Sequence, residues 1–218
     1  MEILPTIGKV LLVLLAVASV VLPLVSERRN YQFVWSVWRR FRIKMFFECL
    51  GIVTLTIATA IALWQVPGLN YGWINLFFGK GGNILVRPIM EGSESTNVLI
   101  RFMVPLFFIA LAFVLPFLAR EEERIFRKGH DDWGSITKQS VKFGLAHCLV
   151  GVPLAAGIAL IIAGLFYGFK YKSALDHNAD TMGYWRAEDE AVMVSTTYHT
   201  MHNMIVVGLL LFVAIVAI

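Results

Sequence analysis

The feature of this sequence that most constrains its fold is a series of long apolar segments with almost no charge. Residues 10–25, 102–119 and 191–218 contain no formally charged side chain, and residues 45–66 contain a single one, Glu48. A helix needs about 20 largely apolar residues to cross the hydrocarbon core of a bilayer. The sequence therefore predicts an all-α, polytopic bundle of transmembrane helices in contact with membrane lipid.

The composition favours one membrane-embedded domain and argues against several other classes. Hydrophobic residues make up 58% of the chain and charged residues 16%, whereas soluble domains carry about 25% charged residues. No shift in composition divides residues 1–218, so we expect a single domain. The net charge of +4 is modest, and the basic residues cluster beside apolar runs, so no nucleic-acid partner is expected. Cys49 and Cys148 lie in apolar segments without a CxxC motif, which gives no support to a disulfide framework or a zinc site.

Two basic connections predict the orientation of the chain in the membrane. Residues 26–44 and 120–142 are rich in Arg and Lys, whereas 67–97 is rich in Gly, Pro, Asn and Ser. Connections with an excess of Lys and Arg stay on the cytoplasmic side. We therefore expect 26–44 and 120–142 on that side and 67–100 on the opposite one. Residues 1–26 are consistent either with a signal peptide or with an uncleaved first span.

The apolar stretch 143–169 is longer than one span requires. It carries His147 and is interrupted by Gly151, Val152 and Pro153. Because glycine and proline weaken or end helices, this stretch is either one long tilted span or two short helices. The polar residues 170–190 are expected to form a connection.

Three groups of polar residues inside or beside the apolar segments are candidates for chemistry. They are an acidic run followed by an arginine, an aromatic residue four positions before a histidine, and a histidine four positions before an asparagine: Glu121, Glu122, Glu123 and Arg127; Phe143 and His147; His199 and Asn203. An ionised side chain at the centre of a membrane helix costs about 2.5–3.5 kcal/mol on insertion scales. Each group alone also has a structural explanation, either a charge-paired helix end or a hydrogen bond between helices.

The three groups resemble the motifs of the CPBP (ABI) family, which comprises the CAAX-type prenyl endopeptidases and their bacterial relatives, intramembrane glutamic proteases. EExxxR at 122–127, followed by Gly129, resembles the first motif, FxxxH at 143–147 the second and HxxxN at 199–203 the third. GLFYG at 164–168 resembles the small-residue helix that lies between the second and third motifs. The family-like core spans roughly 115–210. The chain departs from many bacterial members at Lys128, where they have glycine, and in its longer, more charged connection 172–196.

This resemblance implies an endopeptidase that hydrolyses a membrane-tethered peptide or protein without a cofactor or a metal. Glu122 with His147 would activate the attacking water, since a carboxylate and an imidazole together can remove its proton. His199 and Asn203 would stabilise the oxyanion that forms at the peptide carbonyl. No prenyl substrate is indicated by the residues themselves.

The resemblance also assigns supporting roles and demands a particular topology. Glu123 and Arg127 would orient the site, and Phe143 would pack beside the second-motif histidine. These side chains can meet only if the chain crosses the membrane an even number of times between the second and third motifs. We therefore expect 143–169 to break near Gly151–Pro153 into two short helices, which makes about six membrane helices in all.

Three other functions fit parts of the sequence. A catalytically silent scaffold, or an assembly factor in a larger membrane complex, would use the aromatic-rich basic segment 31–44 and the loop 67–97 as partner surfaces. A metal-dependent hydrolase would use Glu122, His147 and His199 as ligands, although no HExxH motif is present. A transporter would use buried Glu and His as a proton relay, but the sequence has no visible pair of inverted repeats.

Overall fold

The computed structural model describes residues 31–73, residue 75 and residues 98–216, together with positions 11, 14, 17, 18, 21, 22 and 25. Over 98–102 only the backbone is described. The predicted first span at 10–25 therefore lies largely outside the described residues, as does most of the predicted loop 67–97.

Six helices make up the described fold, and no strand occurs among these residues. They are α1 (Tyr31–Arg39), α2 (Ile43–Trp64), α3 (Val98–Phe126), α4 (Trp133–Leu149), α5 (Leu154–Met182) and α6 (Tyr184–Val216). The predicted all-α helical bundle is confirmed.

Four of the six helices are long and apolar enough to cross a membrane: α2, α3 from Met103 onwards, α5 and α6. At 17 residues, α4 is shorter than the roughly 20 that a full crossing requires. Large apolar side chains on α2, including Ile43, Phe47 and Ile61, are exposed on the bundle surface. Such a surface is stable against lipid and not against water, so the protein is an integral membrane protein.

The predicted basic connection 120–142 is largely helical. α3 continues through Phe126, and α4 begins at Trp133, so only a short turn separates them. Gly129 permits this turn by adopting a φ of 79°, and the Asp132 carboxylate caps α4 by accepting the Ser135 N–H at 2.9 Å. Hydrogen bonds from Ser135 hold the pKa of Asp132 below its usual range.

The chain reverses direction between α4 and α5, at the position predicted for a break. α4 ends at Leu149, Gly151 adopts a φ of 88°, and Pro153 precedes the first residue of α5. The 69–73 segment packs on this reversal, where the Ala155 N–H donates to the Leu69 carbonyl at 2.7 Å. The predicted break is therefore confirmed, although both helices extend well beyond the apolar stretch 143–169.

The expectation of a polar connection over 170–190 is wrong. α5 continues to Met182, and a single turn at Gly183, with a φ of 78°, leads directly into α6. Charged residues here pair along the helix instead of breaking it: Lys172 Nζ lies 2.8 Å from Asp176 Oδ1, one turn further on. Hydropathy detects only the apolar part of a helix, so the predicted helix ended before the charged C-terminal turns of α5.

Glycines allow α4 and α5 to approach each other closely. Gly144 lies against Gly157 and Gly164 lies against the Ser140 backbone, while Gly168 contacts the Ile136 side chain. The residue numbers of these contacts decrease along α4 as they increase along α5, so the two helices are antiparallel. Small residues permit such close backbone contact between membrane helices.

Replacing Gly144 by Ala is expected to destabilise the protein by about 1–3 kcal/mol, as overpacking of a tight contact does. A Cβ atom there would lie 2.5 Å from the Gly157 carbonyl oxygen and 2.9 Å from the Ile161 nitrogen. Thermal unfolding of the purified protein in detergent measures the effect. Gly51→Ala in α2 is the matched control, because no described residue lies within 4 Å of its added Cβ. An equal loss in both variants would contradict close α4–α5 packing.

Candidate active site

Three helices bring the three sequence motifs to one place. Glu122 comes from the last turns of α3, His147 from the end of α4 and His199 from the middle of α6. The Glu122 Oε2 atom lies 3.9 Å from His147 Nε2 and 3.8 Å from His199 Nε2. One carboxylate oxygen therefore faces both imidazoles, although the three residues are far apart in the sequence.

Glu123 is the buried anchor of this cluster. One of its oxygens, Oε1, accepts a hydrogen bond from His199 Nδ1 at 2.9 Å. The other, Oε2, accepts the Ser195 hydroxyl and lies 3.3 Å from Arg127 Nε. The side chains of Glu123 and Arg127 are both completely buried. A buried charge needs such a partner because burial removes its hydration, and Arg127 supplies it from the same helix end. The hydrogen bonds of Glu123 with Ser195 and His199 join the end of α3 to α6.

The hydrogen bonds of the two histidines define which nitrogen faces Glu122. His147 Nδ1 lies 2.7 Å from the Phe143 carbonyl oxygen. Since a carbonyl can only accept, this nitrogen carries the proton. The Nδ1 atom of His199 donates to the Glu123 carboxylate in the same way. The nitrogen that faces Glu122 is therefore Nε2 in both rings, and it carries the lone pair in the tautomer with the proton on Nδ1.

Aromatic rings hold both imidazoles in position. The Phe143 ring lies 4.7 Å from the His147 ring and 5.5 Å from the His199 ring. Tyr167 stacks on His199 with a centroid separation of 4.4 Å and an interplanar angle of 17°. Phe143 thus packs beside His147, as the family resemblance implied, and in addition it contacts the other histidine.

Two contributors to this site were not identified from the sequence. Ser195 holds Glu123 and lies one helical turn before His199, so the i, i+4 spacing carried a signal for it. Tyr167 lies within the GLFYG run that resembles a family element, but nothing in the sequence indicated that its ring would stack on an imidazole. Both are buried.

Exposure decreases steadily across the site. The Glu122 side chain is 35% exposed and that of His147 22%, whereas His199 is 2% exposed and Glu123 is fully buried. The site therefore opens beside Glu122 and His147, and it is closed behind His199. The Glu122 Oε2 atom that faces the imidazoles is itself buried and has no hydrogen-bond partner among the described residues.

Asn203 is the one predicted site residue that the structure does not bring into contact with the others. It lies one turn beyond His199 on α6 and is half-buried, and its side chain makes no hydrogen bond within the described part of the chain. Its neighbour His202 is buried, and its ring lies 5.7 Å from the Tyr167 ring. Helical periodicity alone places Asn203 on the same face as His199.

Lys128, the departure from the family pattern, turns away from the site. Its Nζ atom lies 2.7 Å from Asp189 Oδ1 at the start of α6. The neighbouring Glu188 accepts the Gly129 N–H at 2.9 Å, and Glu190 forms a two-pronged pair with Arg40. The acidic run 188–190 therefore joins the end of α3 and the segment after α1 to α6, and the lysine does not obstruct Glu122.

Glu48, the single charge in the second apolar segment, has a partner within the bundle. The Lys170 Nζ atom lies 2.8 Å from Glu48 Oε2 and 4.4 Å from the centre of the Tyr198 ring. This pair links α2 to α5 next to the helix turn that carries His199. It explains how a carboxylate is tolerated in that segment.

A preformed metal site is not found in the described residues. Within them, no group of three or more His, Cys, Asp or Glu side chains could hold a metal ion. This includes the set of Glu122, His147 and His199 that a metal-dependent hydrolase would use. The geometry of the described side chains therefore gives that alternative no ready ligand set.

Comparison with known proteins adds no relative to this description. No family model, no curated protein and no solved structure matches the chain.

Proposed function

We propose that this protein is an intramembrane glutamic endopeptidase of the CPBP type that hydrolyses a membrane-associated peptide. The observation that carries the proposal is the placement of Glu122 between two imidazoles whose Nε2 atoms both face it. The buried pair of Glu123 and Arg127 also supports the proposal, because Glu123 holds His199 in the orienting role that the resemblance implied. Polar side chains are costly in a membrane, and these contacts bring the polar residues of all three motifs into one cluster.

Glu122 and His147 are assigned the activation of water. Their separation of 3.9 Å is too long for a direct hydrogen bond and is about what one bridging water spans. Water held there donates one proton towards the carboxylate and one towards the imidazole. As the water oxygen attacks the peptide carbon, one proton passes to this pair and then to the leaving amine.

His199 is assigned the stabilisation of the oxyanion. Because Glu123 holds its Nδ1 proton, donation through Nε2 requires a second proton on the ring. Glu122 and Glu123 lie on either side of that ring and balance its charge. The Asn203 amide, one turn further along α6, is the proposed second donor, since oxyanion sites use preorganised donors of this kind.

The test is to map the peptides in membranes of cells that lack the protein and then receive either wild type or a variant. We expect cleavage products with wild type and with His177→Gln, and none with His147→Gln. His177 is the matched control because it is an exposed histidine on α5. If wild type, His177→Gln and His147→Gln give identical peptide maps and all three restore the phenotype of the deficient cells, hydrolysis is refuted and the scaffold is favoured.

A further inference from the structure

A groove beside α3 and α6 has the chemistry of a lipid-headgroup site. It has a volume of about 250 Å³ and lies among α1, the end of α3 and the start of α6. Among the described residues, three cations line it, Arg120, Arg124 and Lys128, with a single carboxylate, Asp189. None of these residues belongs to the candidate active site. Cations therefore outnumber carboxylates among the described residues that line the groove, and the groove has no role in the reaction proposed above.

The present partners of the three cations hold them in position but bind them weakly enough for another anion to replace these contacts. The Arg120 guanidinium lies 4.4 Å from the centre of the Phe33 ring, which keeps it against the groove. Arg124 and Lys128 remain 54% and 42% exposed. Glu121 is shared between Arg120 and Arg124. Lys128 pairs with Asp189 and lies 3.9 Å from the buried Glu188. Exposed pairs of this kind contribute about 0–1 kcal/mol. A phosphate, which accepts stronger charge-assisted bonds, can replace them.

Thr196 supplies an independent sign of a ligand. It is completely buried and lines the groove, yet its hydroxyl has no hydrogen-bond partner among the described residues. A buried hydroxyl left without a partner costs about 1–3 kcal/mol. A phosphate oxygen in the groove would accept this hydrogen bond.

The position of the groove selects the source of the phosphate. Arg120 directly follows the uncharged segment 102–119, so the cations lie where the membrane-spanning part of α3 ends. The remaining lining is apolar, from Phe33, Val192 and Met193. We infer that the groove binds the headgroup of an anionic phospholipid, with the phosphate at the cations and Thr196 and the glycerol and acyl portion along the apolar wall. The predicted cytoplasmic side is where anionic lipids are concentrated.

The test compares lipid binding by wild type and by Arg124→Gln/Lys128→Gln in nanodiscs and by native mass spectrometry. We expect wild type to prefer phosphatidylglycerol over phosphatidylcholine and the double variant to bind phosphatidylglycerol about tenfold more weakly. Lys138→Gln/Lys142→Gln is the matched control, since it removes two exposed charges from α4 at the same end of the bundle. That control is expected to bind as wild type does.

Two outcomes would overturn this inference. Equal weakening in both double variants would mean that surface charge alone attracts the lipid. Thermal stabilisation by inorganic phosphate in detergent, equal to that by phosphatidylglycerol, would identify a soluble anion as the ligand.

If the groove variant fails to fold, Thr196→Val takes its place, because it preserves volume and charge. It should bind phosphatidylglycerol several-fold more weakly, and unchanged binding would count against the site.

Discussion

Replacing Glu122 by Gln is expected to slow peptide-bond cleavage by about a thousandfold, within the range attributed to a positioned general base. Glutamine preserves the size of the side chain but cannot take a proton from water. Because Glu122 is 35% exposed and its Oε2 lies 3.8 Å or more from either imidazole, the substitution removes no hydrogen bond that holds the fold. The loss should therefore appear in the rate and not in the stability.

Cleavage of a peptide identified by membrane mapping, followed with purified protein in vesicles, measures this rate. Glu121→Gln provides a close control, since Glu121 is the preceding residue and pairs on the surface with Arg120 and Arg124. It should cleave at nearly the wild-type rate. If both variants cleave equally well, Glu122 is not the base, and the catalytic assignment fails with it.

Replacing Glu123 by Ala is expected to destabilise the protein by about 3–5 kcal/mol, the usual effect of breaking a buried ion pair. The change leaves the Arg127 guanidinium completely buried without its carboxylate, and it also removes the acceptor for His199 Nδ1 and for the Ser195 hydroxyl. Thermal unfolding in detergent measures the loss. Glu121→Ala, at an exposed pair, should change the stability by less than about 1 kcal/mol.

A double-mutant cycle shows whether the pair itself is responsible. With Glu123→Gln and Arg127→Gln combined, no uncompensated charge remains in the core, so the double variant should lose less stability than the two single losses added together. Simple additivity would show that the two residues act independently, and Glu123 would then serve His199 alone. Glu123→Ala should also lower cleavage, because His199 loses the carboxylate that accepts its Nδ1 proton.

Much of the architecture was predictable because lipid restricts what a chain can do. Apolar segments such as 102–119 have to become helices, since backbone groups in lipid must satisfy one another. Gly151 and Pro153 marked the reversal because one adopts a positive φ and the other cannot continue a helix. The residues Glu122, His147 and His199 stood out because polar groups are rare in such segments.

Helix ends and the polar residues 170–190 were less predictable. Hydropathy does not detect a helix that continues past the apolar region, and α5 does so through Met182 with charges paired along its surface. The acidic run 188–190 binds groups that are distant from it in the sequence. Its partners, Lys128, the Gly129 N–H and Arg40, come from two other segments, so no local pattern could reveal them.

The sequence by itself determined the class of fold, the position near Gly151–Pro153 where 143–169 could break, and the identity of the polar residues in the apolar segments. These are local properties of hydrophobicity and backbone freedom. Only the tertiary structure decided that Glu122 faces two Nε2 atoms, that Tyr167 stacks on His199, and that Ser195 and Arg127 hold Glu123. Such contacts join residues on different helices, and they depend on how close glycines such as Gly144 and Gly157 let those helices approach.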